Sequence, residues 1–182
     1  SLRHLIGQME KQLHDCDVFA GAGRNVCLGG HIHFSGIVES RELLAKLDQF
    51  IGLPLREISN HDYRQARGHG QAGQFRPQPH GWEYRTPCSW LSHPHLASSV
   101  LEIAYMLALA CQKGVLSEIG DWEDLSRFAK TDYPKPAHGQ WAVRTLRAII
   151  KRMTKSGAKL EHVEVFQAWK KRPRSKVTVS RH

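Results

Sequence analysis

Cysteine pairs, acidic residues and long apolar runs are the scarce features of this sequence. It has four cysteines, Cys16, Cys27, Cys88 and Cys111, and no two form a CxxC pair. That argues against a structural zinc knuckle or zinc finger. Wide spacing without a basic-then-apolar leader pattern favours free thiols in a reducing compartment, and so a cytoplasmic setting. No uninterrupted apolar stretch reaches transmembrane length: Leu101 to Cys111 is the longest, and Glu102 breaks it. A membrane partner is not expected. Walker A, Rossmann glycine and HExxH patterns are absent, as are internal repeats, coiled-coil runs and low-complexity segments. Acids number 17 against 26 Lys and Arg, a net charge of +9 that suits an anionic partner such as a nucleotide or nucleic acid. The excess is uneven: from Arg144 to His182 there are twelve Lys or Arg and two acids, Glu161 and Glu164.

What is present fits a folded domain. Hydrophobic residues make up 41% of 182 positions, enough to build a real core. Leu2 to Leu13 reads as an amphipathic helix and Asp15 to Asn25 as a loop. A strand is expected over Val26 to Phe34, then a helix from Ser40, its cap, ended by Gly52-Leu53-Pro54. Leu43, Leu44, Leu47 and Phe50 supply that helix's buried face. Gln65 to His80 reads as a long polar connection, of a length that is often functional. A second strand follows at Trp82 to Thr86. Helices are expected from about Pro94 to Gln112, from Asp121 to Ala129 and from Gln140 to Met153, the last packing through Trp141, Leu146, Ile149, Ile150 and Met153. Leu160 to Trp169 carries a weaker helical pattern. The reading is one domain over residues 1–169 and a basic tail over 170–182, with Lys176 to Val179 able to add a short strand.

Two short stretches carry the chemistry. In Gly29-Gly30-His31-Ile32-His33-Phe34-Ser35-Gly36, the histidines stand two apart on a strand and so face one way. They can converge on a metal or a phosphate, or be ordinary polar residues of a half-exposed strand. Gly81-Trp82-Glu83-Tyr84-Arg85 repeats the geometry with Glu83 and Arg85. His31 and Glu83 form a candidate metal pair, with His33 as a third ligand or a phosphate contact. Two histidines and one glutamate look more like a zinc or transition-metal set than the oxygen set magnesium prefers. Asp15, Asp17, Glu57 and Asp62 are the other acids within range, none in a convincing motif. Arg85, Arg76 and Arg67 are placed to counter anionic charge, a role suited to a permanently charged planar fork. Arg67 and Arg76 read equally as surface arginines of a solvated loop. His61, His69 and His80 read as surface or supporting residues. Cys88 follows the Glu/Arg stretch, but nothing marks it as an activated nucleophile.

The HxHxS stretch from His31 to Ser35 resembles the motif of the glutamine-synthetase-like superfamily, and Glu83-Tyr84-Arg85 resembles its ExR strand. More closely, Gly70 to Pro77 followed by Gly81 to Leu91 is similar to the carboxylate-amine ligases of phages (COOH-NH2 ligase type 2), over roughly Leu2 to Cys111. The resemblance implies an α+β fold: an antiparallel sheet fragment of a glutamine-synthetase-like catalytic domain, packed by helices. It implies an ATP-dependent amidoligase that joins a small-molecule or peptide carboxylate to an amine through an acyl phosphate. ATP and Mg2+ or Mn2+ are the implied cofactors. His31 and Glu83 would bind metal, His33 would approach the nucleotide phosphates, and Arg85 would stabilise the transferred phosphoryl group. Arg76 would hold phosphate or substrate carboxylate, and the reading of the loop itself adds Arg67 as a further nucleotide contact.

The sequence departs from the pattern twice. The acidic metal ligands that the superfamily carries upstream of the HxH strand are missing, and Gly81 stands where the related RxExR pattern has its first arginine. The missing acids imply that this is the C-terminal portion of a longer polypeptide, or that a second chain or upstream segment supplies them. The alternative is a noncatalytic structural or interaction protein that keeps the ligase fold. A basic nucleic-acid-binding protein and a metal-dependent hydrolase remain as further readings, distinguished by salt-dependent binding and by a zinc-bound water.

Overall fold

The computed structural model describes residues 19–20, 27–59, 61–91, 94–131, 136–157 and 163–164. The elements run β1 (Phe19–Ala20), β2 (Ile32–Phe34), α1 (Arg41–Leu47), α2 (Leu53–Arg56), α3 (His61–Gln65), β3 (Phe75–Gln78), β4 (Gly81–Tyr84), α4 (Pro94–Gln112), α5 (Trp122–Thr131), α6 (Pro136–Ser156) and β5 (Val163–Glu164). The expected α+β arrangement holds: a small antiparallel sheet is packed by several helices.

That sheet has three strands in the order β2-β4-β3. Its register sets His33 opposite Glu83, and Glu83 opposite Arg76 on the far side. Alternation does the rest. Ile32, Phe34, Trp82 and Tyr84 turn to one face and are buried. Trp82 stacks on Phe34, with centroids 4.5 Å apart, and its indole N–H donates to the Ile37 carbonyl at 2.8 Å. The opposite face is polar. A separate two-stranded sheet pairs Phe19 with Glu164 and Ala20 with Val163.

The helices form the other layer. Ser40 caps α1 through Oγ, which accepts from the Leu43 N–H at 3.1 Å, and Leu43, Leu44 and Leu47 are buried. The chain does not stop at Gly52-Leu53-Pro54. A π-helical turn over Asp48–Gly52 leads directly into α2, and Pro54 sits in the first turn of α2. α4 runs as expected, burying Leu96, Val100, Ile103, Met106 and Leu107 against α1 and α6. It is long and apolar enough to cross a membrane by length and composition, and half of it is buried inside the fold. α5 and α6 match their expected positions, and Lys113-Gly114 ends α4 with Gly114 at φ 72°.

Four further expectations need correction. The first strand is shorter than Val26 to Phe34, reaching back only through an isolated bridge from Gly29 to Cys88. The polar connection contains a strand, β3, which the sequence hides because all four residues are at least partly exposed and Pro77 lies within it. Proline is tolerated there because β3 is an edge strand. Val163–Glu164 is strand rather than helix. Trp141 is 40% exposed and rests edge-on against His95 instead of entering the core. The expected Leu2–Leu13 helix and Lys176–Val179 strand lie outside the described residues.

Candidate active site

The polar face of the sheet is organised around Glu83. Its position on the central strand puts a neighbour on either side, and the residue is 1% exposed although its side chain points away from the core. Oε1 lies 2.8 Å from Arg76 Nε, 3.1 Å from Arg85 Nε and 3.7 Å from His31 Nδ1. Oε2 lies 3.5 Å from His33 Nε2 and accepts from Gln78 Nε2 at 3.1 Å. Arg76 and His33 arrive by register, while His31 and Arg85 come from the next polar positions along their strands. Arg85 is fixed by its own backbone N–H, which donates to the Gln74 carbonyl at 2.8 Å.

Burial pushes the Glu83 carboxyl upward, but the close contact with Arg76 and the charges of Arg76, His31 and Arg85 outweigh it, leaving its pKa below the usual carboxylate value. His31 is drawn below its ordinary value by burial; Glu83 opposes the shift and Arg85, Arg76 and Arg64 reinforce it. Glu83 therefore stays ionised and the His31 imidazole favours its neutral form.

The sequence placed four cluster residues correctly on one face: His31, His33, Glu83 and Arg85. Arg76 joins them. Arg67 does not: it is exposed, and its guanidinium lies over the Tyr63 ring at 3.9 Å from the centroid. Cys88 is 3% exposed with its thiol pushed up by burial, an inert packing residue rather than a nucleophile. His80 stacks on His33, ring centroids 5.6 Å apart.

Three contributors escaped the sequence reading. Gln78 completes the shell of Glu83. Asp48, 6% exposed, accepts from the Tyr84 hydroxyl and from the Gly73 N–H, each at 2.5 Å, tying α1 to β4 and to the loop before β3. Arg64 is 2% exposed and donates to the Thr86 carbonyl at 3.2 Å. The available signal was the run of glycines at 68, 70 and 73, all with positive φ, which folds this loop tightly.

A divalent metal does not fit this donor set as it stands. The two imidazoles meet different oxygens of Glu83, two guanidinium groups already lie within ion-pair distance of its Oε1, and no second carboxylate joins the row among the described residues. Among the described residues, no group of three or more His, Cys, Asp or Glu is arranged to hold a metal ion. Magnesium asks for near-octahedral oxygen ligands. What the row does offer is positive charge around one buried anion, a surface suited to phosphate or carboxylate.

Gly81 accounts for the departure from RxExR. It sits at φ 148°, and a Cβ there would overlap the Phe34 carbonyl oxygen. An arginine at this position has no room to begin its side chain.

No curated protein and no solved structure matches the chain. The family described as phage phiEco32-like COOH.NH2 ligase-type 2 matches residues 1–169. That span contains the three-stranded sheet, the Glu83 row and the six α-helices of the described residues, and the chain belongs to this carboxylate-amine ligase family.

Proposed function

We propose that the protein is an ATP-dependent ligase that makes an amide through an acyl phosphate. The observation that supports this most is the row His33–Glu83–Arg76 with Arg85 beside it: two guanidinium groups and two imidazoles gathered around one buried carboxylate. Phosphoryl transfer depends chiefly on positioning and on charge stabilisation, and these residue types supply both.

In this reading a substrate carboxylate attacks the terminal phosphorus of ATP, and the bond to the ADP oxygen breaks. An amine then attacks the acyl carbon, inorganic phosphate leaves, and the amine gives up a proton. Arg85 and Arg76 neutralise charge on the phosphoryl oxygens. His33, half-exposed at the edge of the row, is positioned to donate to phosphate. Glu83 keeps the arginines aligned. No step here runs through Mg2+ or Mn2+; a metal role for His31 and Glu83 needs oxygen donors beyond the described row. The carboxylate and amine are small molecules or peptides.

The test is phosphate release from ATP with pooled carboxylates and amines. Release should require both. Arg85→Met should lower it by roughly 10²–10³-fold, the usual loss on removing one preorganised electrostatic partner, and Glu83→Gln should lower it as well. Equal release by the parent and both variants overturns the proposal. A second reading, a noncatalytic protein that retains the fold, is favoured by the single carboxylate of the row. It predicts a folded chain with no ATP turnover under any substrate pool.

A further inference from the structure

Beside the Glu83 row lies a small cavity of about 120 Å³. Its lining includes Gly29, His31, Arg64, His69, Gln74 and Arg85. The volume falls well short of the ~300–1,000 Å³ that encloses a drug-sized ligand. It suits one head group rather than a nucleotide.

Arg64 is the unusual member. It is 2% exposed, and its Nε is buried with no hydrogen-bond partner. Nη1 has the Thr86 carbonyl at 3.2 Å. Two glycines make room for the guanidinium. A Cβ at Gly29 would come within 3.4 Å of Nη2, and one at Gly70, where φ is 74°, within 2.9 Å of Nη1. No carboxylate pairs with Arg64 among the described residues. The groups whose negative charge would favour the Arg64 cation are the thiols of Cys88 and Cys27, and burial pushes the Cys88 thiol up toward its protonated form. A buried guanidinium that lacks a counter-charge is costly, and arginine does not shed its charge to escape the cost. Arg85 adds a second cation to the same wall.

We infer that this cavity is a subsite for a single oxyanion head group, carboxylate or phosphoryl, with Arg64 as its anchor. The ligand's negative charge completes the pairing that the protein leaves open. The inference deepens the ligase reading and rests on it for the link to the reaction, since an acid substrate and a phosphoryl donor both carry such a group.

Isothermal titration of the full chain with inorganic phosphate and, separately, with acetate tests it, alongside thermal unfolding of the parent, Arg64→Met and Arg64→Lys. At least one anion should bind the parent and raise its Tm. Selective binding of phosphate assigns the phosphoryl source, and selective binding of acetate the carboxylate source. Arg64→Met should lose at least tenfold in affinity while its ligand-free Tm holds or rises, because an unpaired buried charge is gone. A merely structural arginine would instead lower that Tm. If Arg64→Met does not fold, Arg64→Lys decides: a folded variant with several-fold weaker binding supports the subsite, and unchanged binding overturns it. Binding of neither anion to the parent, or binding that survives Arg64→Met, also overturns it. Anion binding without ATP turnover would leave the subsite standing and remove the ligase reading. ATP turnover by Arg64→Met at the parent's KM for every substrate would do the reverse.

Discussion

Trp82 and Glu83 are neighbours on one strand, each 1% exposed, and they are hidden for opposite reasons. Trp82 faces the core, where Phe34, Phe75 and the Ile37 carbonyl surround it. Glu83 faces the other way and is covered by charged side chains that stay partly in water: Arg76 at 53% and His33 at 50% exposed. One face is held by volume and the other by charge. A two-residue period lets three short strands serve both, so the site and the core share the same backbone.

Breaking the core face should give the largest effect. Trp82→Ala removes a stacked aromatic and an indole hydrogen bond, and should cost about 3–5 kcal/mol in denaturant unfolding. A cost under about 1 kcal/mol would mean that the sheet is not packed as described. Tyr84→Phe keeps the ring and removes one hydrogen bond to a carboxylate, so about 1.5–3 kcal/mol is expected. Asp48 would then hold only the Gly73 N–H.

The polar face should respond most clearly to pH. The Glu83 pKa lies below its reference of 4.5, so its contribution is present above that value and lost as pH falls through the lower, folded-state value. The His31 pKa lies below 6.5, so its contribution has the same sign and fades as pH falls beneath 6.5. Stability of the parent should therefore decline in two stages on acidification, and Glu83→Gln should lack the second. Parallel stability curves for the two proteins between about pH 3 and 5 would contradict the ion-pair row. The smallest effect is local. Because the Glu83 charge pulls the His31 pKa up, Glu83→Gln should move the His31 titration further down, as read by NMR of its ring protons.

The two faces also differed in how far the sequence exposed them. His31 and His33, then Glu83 and Arg85, stand two apart, and strand alternation was enough to set each pair on one side. The long helices α4 and α6 announced themselves through apolar residues three and four apart. β3 was invisible because an edge strand with Arg76, Pro77 and Gln78 buries little and shows no alternation. Arg64 was missed for a related reason: on a five-residue helix, burial of one arginine leaves no periodic trace. The register that puts Arg76 across from Glu83 depends on β3, so the ion-pair row could be suspected but not assembled from sequence.

Gly81 has a consequence for how this site tolerates change. Its backbone conformation and the Phe34 carbonyl close the position to every other side chain, so position 81 can bring no guanidinium to Glu83 along the strand they share. Arg76 reaches the carboxylate from β3 instead. A charge carried by the same strand as Glu83 survives slippage between strands, whereas a charge carried by the neighbour does not. The Arg76 share of the site's electrostatics is thus only as constant as the pairing of an edge strand, while the Arg85 share travels with Glu83, and losing Arg76 is a change that no substitution at position 81 can repair.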